Sequence, residues 1–183
     1  MISREEALNL LQQYLKNEKL VKHCLAVEAI MKAIARELGE DENLWGLVGL
    51  LHDLDYQLVG KDMSKHGLIT VEILKDKLPP NALDAIKAHN ELTGYKCETK
   101  LAYALKASDQ ASGLIIATAL VMPHKKLNEV KLSSLLKKFK QKDFARSVKR
   151  EKILLCERLG LSLERFMEIA LNALKHIHKE LGL

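Results

Sequence analysis

One segment constrains the fold more than any other: residues 44–51, Leu-Trp-Gly-Leu-Val-Gly-Leu-Leu, are apolar and run directly into His52-Asp53. Asp41 and Glu42 suit the first turn of a helix, where carboxylates oppose the positive end of the helix dipole. A helix that is apolar nearly all round belongs at the centre of a helical bundle. The rest of the chain supplies the surrounding layers. Its apolar residues recur at helical spacing and nothing alternates cleanly with period two. The fold class expected is therefore all-α.

The helix boundaries follow from local signals. Ser3, ahead of Glu5 and Glu6, opens a helix with the stripe Ala7, Leu8, Leu11 and Leu15. A second helix is expected over 19–38, with Val27, Ile30, Met31 and Ile34 on one face, ending at Gly39. Residues 56–65, with Gly60, read as a loop, and a helix over 66–77 stops before Pro79-Pro80. Asn81 caps the next helix, which reaches His89. A polar loop over 90–98 leads to Thr99, which opens a helix to Asp109 that Gly113 interrupts before the apolar segment 114–122 and Pro123. Beyond lie an amphipathic segment begun by Ser133, a linker-like basic stretch over 140–150, and helices near 150–159 and 162–181 parted by Gly160. Ser162 with Arg165 makes half of a capping box. The domain organisation expected is a core over 1–122 with a helical extension over 123–183 packed on the same domain.

With 183 residues, 48% hydrophobic and 29% charged, the chain can bury a real core and is not composed like a disordered protein. No apolar run approaches the roughly 18–20 residues that span a bilayer, so no membrane partner is expected. Cys24, Cys97 and Cys156 are scattered and odd in number, as expected of reduced thiols. The N-terminal residues lack a basic stretch followed by an apolar one. A cytoplasmic location is the expectation. Charge is unevenly spread: residues 1–120 carry a net −3 and residues 121–183 a net +8. A basic third can attract phosphates or nucleic acid, and it can equally be a solvated helical surface.

Four of the seven histidines lie within residues 23–89. Burying the pair His52-Asp53 at the end of an apolar helix costs several kcal/mol unless something compensates the charge. A divalent metal does so, because neutral imidazole and ionised carboxylate are its natural ligands. Adjacent helical residues point about 100° apart, so the two meet at one ion only near a helix end or with ligands from neighbouring helices. His23 and Asp109 are candidates for those ligands.

The local sequences Leu20-Val-Lys-His23-Cys-Leu-Ala-Val, Leu50-Leu-His52-Asp53-Leu-Asp55 and Leu105-Lys-Ala-Ser-Asp109-Gln-Ala resemble the HD superfamily of metal-dependent phosphohydrolases, in particular its HDIG-like subgroup. The ordered set H…HD…D covers residues 18–121 and is far more specific than any one of its parts. The resemblance implies an all-α HD-domain bundle with His23, His52, Asp53 and Asp109 as metal ligands. Leu54-Asp55 stands where the subgroup continues Ile-Gly. His66 and His89 lie where binuclear members carry ligands of a second ion, with the aspartate of the HD pair bridging both. The resemblance thus implies one or two divalent ions (Mn, Fe, Mg, Co, Ni or Zn) and catalytic roles for Asp53, His66 and His89. The cyclic-dinucleotide branch has a His-rich segment ending Gly-Tyr-Pro. This chain has Asn90, and Gly94-Tyr95-Lys96 without the proline.

A metal held by such ligands lowers the pKa of a coordinated water and polarises a phosphoryl oxygen. The activity expected is hydrolysis of a phosphate ester in a nucleotide or other small phosphorylated molecule. Lys61, Lys65 and Lys106, close in sequence to the ligands, are candidates for holding phosphate oxygens. Asp55 and Glu91 are candidates for a general base or for partners of ligand histidines. Two other classes stay open: a di-iron oxygenase using the same ligands, and a non-catalytic regulatory or nucleic-acid-binding module drawing on the basic C-terminal third. No Walker motif or glycine-rich phosphate loop narrows the substrate.

Overall fold

Seven consecutive residues, Trp45 to Leu51, are buried in a helix that the rest of the chain wraps. The computed structural model describes all 183 residues and contains no strand. In chain order α1 (Arg4–Tyr14), α2 (Glu18–Leu38) and α3 (Glu42–Leu51) come first, followed by the short α4 (Tyr56–Val59), α5 (Leu68–Leu74) and α6 (Pro80–His89). The long α7 (Lys100–Leu120) then leads to α8 (Leu132–Lys140), α9 (Arg150–Ile153), α10 (Leu163–His176) and α11 (His178–Leu181). Short 3-10 turns fill several of the connections. No helix is long and apolar enough to cross a membrane.

The caps explain the first boundaries. Ser3 and Glu6 form a reciprocal capping box at α1. Asp41 Oδ1 accepts from the backbone N–H groups of Asn43 and Leu44 at the start of α3. Gly39, with φ of 68°, ends α2 in the left-handed conformation that suits glycine. Between α2 and α3 the backbones come close because residue 49 is glycine. A Cβ there would sit 2.9 Å from the Val27 carbonyl oxygen and 3.0 Å from the Glu28 nitrogen. This contact fixes where the end of α3 lies beside the middle of α2.

A contiguous cluster of 44 buried apolar residues runs from Ala7 to Leu181. It includes Leu135, Ile153, Cys156, Phe166 and Leu174, so the C-terminal third shares the core of the first two thirds. α10 lies against α2, and the chain around α9 lies along α7.

Several expectations need correction. Residues 56–65 contain α4 and a 3-10 turn at Met63–Lys65 rather than an irregular loop. The next helix is confined to Leu68–Leu74, leaving His66 and Gly67 in the approach to it. Pro79, not Asn81, is the N-cap of α6, and Pro80 takes the first helical position, where a missing N–H costs nothing. Gly113 does not interrupt α7. It lies inside one continuous helix and faces Val148, whose Cγ2 would be 3.4 Å from a Cβ at this position. α8 begins at Leu132 with Lys131, not Ser133, as its cap. The stretch 140–150 is no loose linker, because the Arg150 guanidinium donates to the carbonyls of Lys138, Phe139, Gln141, Phe144, Ala145 and Val148.

Candidate metal centre

Four helices and one turn deliver the candidate residues to one point. His23 comes from the first turns of α2, His52 and Asp53 from the end of α3, His89 from the last residue of α6, and Asp109 from the middle of α7. His66 comes from the turn before α5. Asp53 sits at the centre. Its Oδ1 lies 3.2 Å from His52 Nε2, 3.2 Å from His66 Nε2 and 3.5 Å from His89 Nε2, and its Oδ2 is 3.6 Å from His23 Nε2. Asp109 Oδ1 is 3.1 Å from His23 Nε2 and 4.0 Å from His52 Nε2.

The other ring nitrogen of each histidine is engaged away from this point. His52 Nδ1 donates to the Gly49 carbonyl at 2.8 Å, His89 Nδ1 to the Ile86 carbonyl at 2.6 Å, and His66 Nδ1 to Asp55 Oδ1 at 2.8 Å. Ser112 Oγ donates to the Asp109 carbonyl at 2.7 Å, so it accepts from His23 Nδ1 at 3.2 Å. Each imidazole with a proton on Nδ1 turns a bare Nε2 inward, the orientation a metal ligand needs. His52 Nε2 is completely buried and has no hydrogen-bond partner. An orphaned buried nitrogen is costly unless something coordinates it. The groups His23, His52, Asp109 and His52, Asp53, His89 are each close enough to hold an ion, and this donor set fits a divalent metal.

The electrostatics agree with that chemistry. Burial pushes His52 down to about 4, which keeps its ring neutral. Burial opposes ionisation of Asp109, but the His23 hydrogen bond and nearby imidazoles outweigh it and hold the carboxyl at about 2. Asp53 is likewise held well below the carboxylate range, the neighbouring imidazoles overcoming its burial. His66 and His89 bring their Nε2 atoms to 3.1 Å. Two bare lone pairs cannot remain that close without a cation between or beside them. Burial works against charge on His66, yet Asp53 and Asp55 raise its pKa to about 9, so a proton meets this need in the metal-free protein.

Asp55, which departs from the subgroup pattern, is completely buried. It fixes His66 through Oδ1 and accepts from the backbone N–H groups of Gly67 and Thr70 through Oδ2 at 2.8 and 2.9 Å. Asn90 also has a structural task. Its amide donates to the Met63 and His66 carbonyls, tying down the turn that carries His66.

Five of the candidate ligands, His23, Asp53, His66, His89 and Asp109, line a cavity of about 360 Å³ together with Leu20, Tyr56, Asn90, Gln110, Lys149 and Lys152, while His52 lies fully buried behind them. Lys61, Lys65 and Lys106 do not line it, and Lys65 pairs with Asp62 at 3.1 Å. The lysines in the wall are Lys149 and Lys152, which nothing in their local sequence singles out. Gln110 connects Lys149 to the centre: its amide donates to Asp109 Oδ2 at 2.9 Å and its oxygen accepts from the Lys149 backbone at the same distance. Glu91 bonds Lys149 at 3.0 Å across the cavity rim. The remaining histidines lie elsewhere: exposed His124 pairs with Glu129, and His176 donates to the Asn172 carbonyl. The Cys24 thiol, beside His23, is buried, and burial raises its pKa well above the ordinary range.

An all-α bundle with histidines and aspartates converging from separate helices defines a metal-binding class of helical protein. The HD domain family model matches residues 20–120, more than half of the chain, and the protein belongs to the HD-domain family. Ribonuclease Y of Lawsonia intracellularis (strain PHE/MN1-00) is 34% identical over 107 residues, which cover 58% of this chain and 20% of that relative. The chain thus spans about a fifth of that relative's length. No solved structure matches.

Proposed function

We propose that this protein is a metal-dependent phosphohydrolase with a two-ion site, acting on a nucleotide, an oligonucleotide or another small phosphate ester. The observation that carries this reading is the convergence of four Nδ1-tethered imidazoles on Asp53, with the buried Nε2 of His52 unpartnered. His23, His52, Asp53 and Asp109 would hold one ion, and His66 and His89, sharing Asp53, a second. Such ions supply an activated water and a polarised phosphoryl oxygen. The chain's own residues do the positioning. Gly49, Ile86, Asp55 and Ser112 orient the rings, and Asp55 can keep His66 in the tautomer that leaves Nε2 bare. Asp53, His66 and His89 lie next to one another on the cavity wall and would act at the reacting phosphate. Membership of a family of mostly metal-dependent hydrolases supports the reaction class, and the ribonuclease relative keeps RNA phosphodiesters among the candidate substrates.

The test is elemental analysis of the purified protein with assays on nucleotides, oligonucleotides and chromogenic phosphodiesters under Mn²⁺, Mg²⁺, Co²⁺, Ni²⁺ and Fe²⁺. Metal-dependent turnover that Asp53→Ala abolishes is expected. A protein that retains no metal and cleaves none of these would overturn the proposal.

A further inference from the structure

Residues 141–153 lie outside the part of the chain matched by the HD family, yet they contribute Lys149 and Lys152 to the cavity lining. The Arg150 guanidinium, wrapped by backbone carbonyls, fixes the path of this segment, and Val148 packs beside Gly113 of α7. Lys149 and Lys152 follow from that path. The Lys152 side chain is only 9% exposed, and its ammonium donates to the His89 carbonyl at 3.2 Å and lies 3.6 Å from Glu91 Oε1. Lys149 reaches Glu91 Oε2 at 3.0 Å. One carboxylate therefore lies between two ammonium groups at the rim of the metal centre.

Burying an ammonium is expensive, and an apolar side chain of similar length would fill the same space at no such cost. Each ammonium has three donors, of which Lys149 uses one and Lys152 at most two. Spare donors therefore remain on both. Glu91 is 58% exposed on its side chain and lies in the short 3-10 turn Glu91–Thr93, so its carboxylate can move away without disturbing the core. With two divalent ions bound, Asp53, Asp55 and Asp109 offset three of the four added charges. With Glu91 turned away, the two lysines then leave the cavity with an excess of three positive charges, which favours a phosphate anion.

We propose that Lys149 and Lys152 are the phosphate-binding residues of this cavity, and that Glu91 is a positioning residue whose carboxylate holds both ammonium groups until a phosphate displaces it. This rests on the phosphohydrolase reading above. The full chain loaded with Mn²⁺ tests it, with inorganic phosphate as the probe, followed by calorimetry and by inhibition of chromogenic phosphodiester hydrolysis. Lys149→Ala and Lys152→Met are each expected to weaken phosphate binding about tenfold or more, as loss of a charge-assisted hydrogen bond implies. Metal content should stay unchanged, and Lys149→Arg should retain most of the binding. Glu91→Gln should tighten phosphate severalfold, because it removes the internal competitor; a carboxylate that merely braced the lysines would loosen it instead. Lys149 is half exposed, so its variants fold even if Lys152→Met does not. Phosphate binding unchanged in Lys149→Ala, or weakened in Glu91→Gln, overturns the proposal while leaving the phosphohydrolase reading intact. A metal-loaded wild type that neither binds phosphate nor cleaves any ester overturns both.

Discussion

On one side of the cavity, four imidazoles are each tethered through Nδ1 to a backbone carbonyl, a buried carboxylate or a hydroxyl, and their other nitrogens meet at Asp53. On the other side, Lys149 and Lys152 reach in from beyond the family-matched region, restrained at the rim by a half-exposed glutamate. The first wall is preorganised: its geometry is set before any ligand arrives, as metal coordination demands. The second wall is adjustable, because ammonium groups on flexible stems act as point charges and tolerate varied anion positions. If the walls bind metal and phosphate as proposed, the contrast means that the two functions can be altered separately, although a single core supports both walls.

The sharpest way to break the comparison is Asp53→Ala. Its carboxylate is the one group close to all four imidazoles, so metal retention, by elemental analysis, and hydrolysis should both be lost. A fold retaining its helical circular dichroism would show that the loss is local. Next in size, Phe166→Ala empties a fully buried site in α10 and should cost about 3–5 kcal/mol in urea unfolding. Because the core is continuous, the whole chain should still unfold in one transition. Two separated transitions would mean that the lysine wall belongs to an independent unit.

Asp55→Asn sharpens the account of the preorganised wall. The amide would set an N–H against the Gly67 and Thr70 donors, or fail to accept the His66 proton. Metal affinity should fall about 10–100-fold, the usual effect of losing a partner of a ligand histidine, with little change in phosphate binding at saturating metal. An unchanged metal titration would remove Asp55 from the account. Gly49→Ala should have the smallest effect, about 1–3 kcal/mol of stability from overpacking α2 against α3. It should also lower metal affinity, since His23 rides on one helix and His52 on the other. A stability loss without any metal effect would show that the α2–α3 contact does not set the ligand spacing.

Much of the first wall was legible because its signals are local. Ser3, Gly39, Asp41 and Thr99 mark helix ends through hydrogen bonds to residues a few positions away, and each lies at the expected boundary. Gly113 misleads because a single glycine costs a helix only about 1 kcal/mol, which the packing of the continuous α7 outweighs. Asn81 misleads because the preceding Pro79-Pro80 already starts the helix. Tyr56–Val59 is a single turn, too short for its periodicity to register.

The sequence by itself determined that this chain is helical, that its central helix ends in a histidine–aspartate pair, and that His23 and Asp109 recur in an order characteristic of one family. Helix period, capping and motif order are written in neighbouring residues, which is why they can be read there. Only the tertiary structure decided that each imidazole turns Nδ1 outward and Nε2 toward Asp53. It also decided that Asp55 and Asn90 hold His66 in place, and that Lys149 and Lys152 face the site while Lys61, Lys65 and Lys106 do not line it. Those outcomes depend on where distant segments settle in space. The Gly49 contact and the carbonyls around Arg150 set those positions, and sequence separation carries no measure of them.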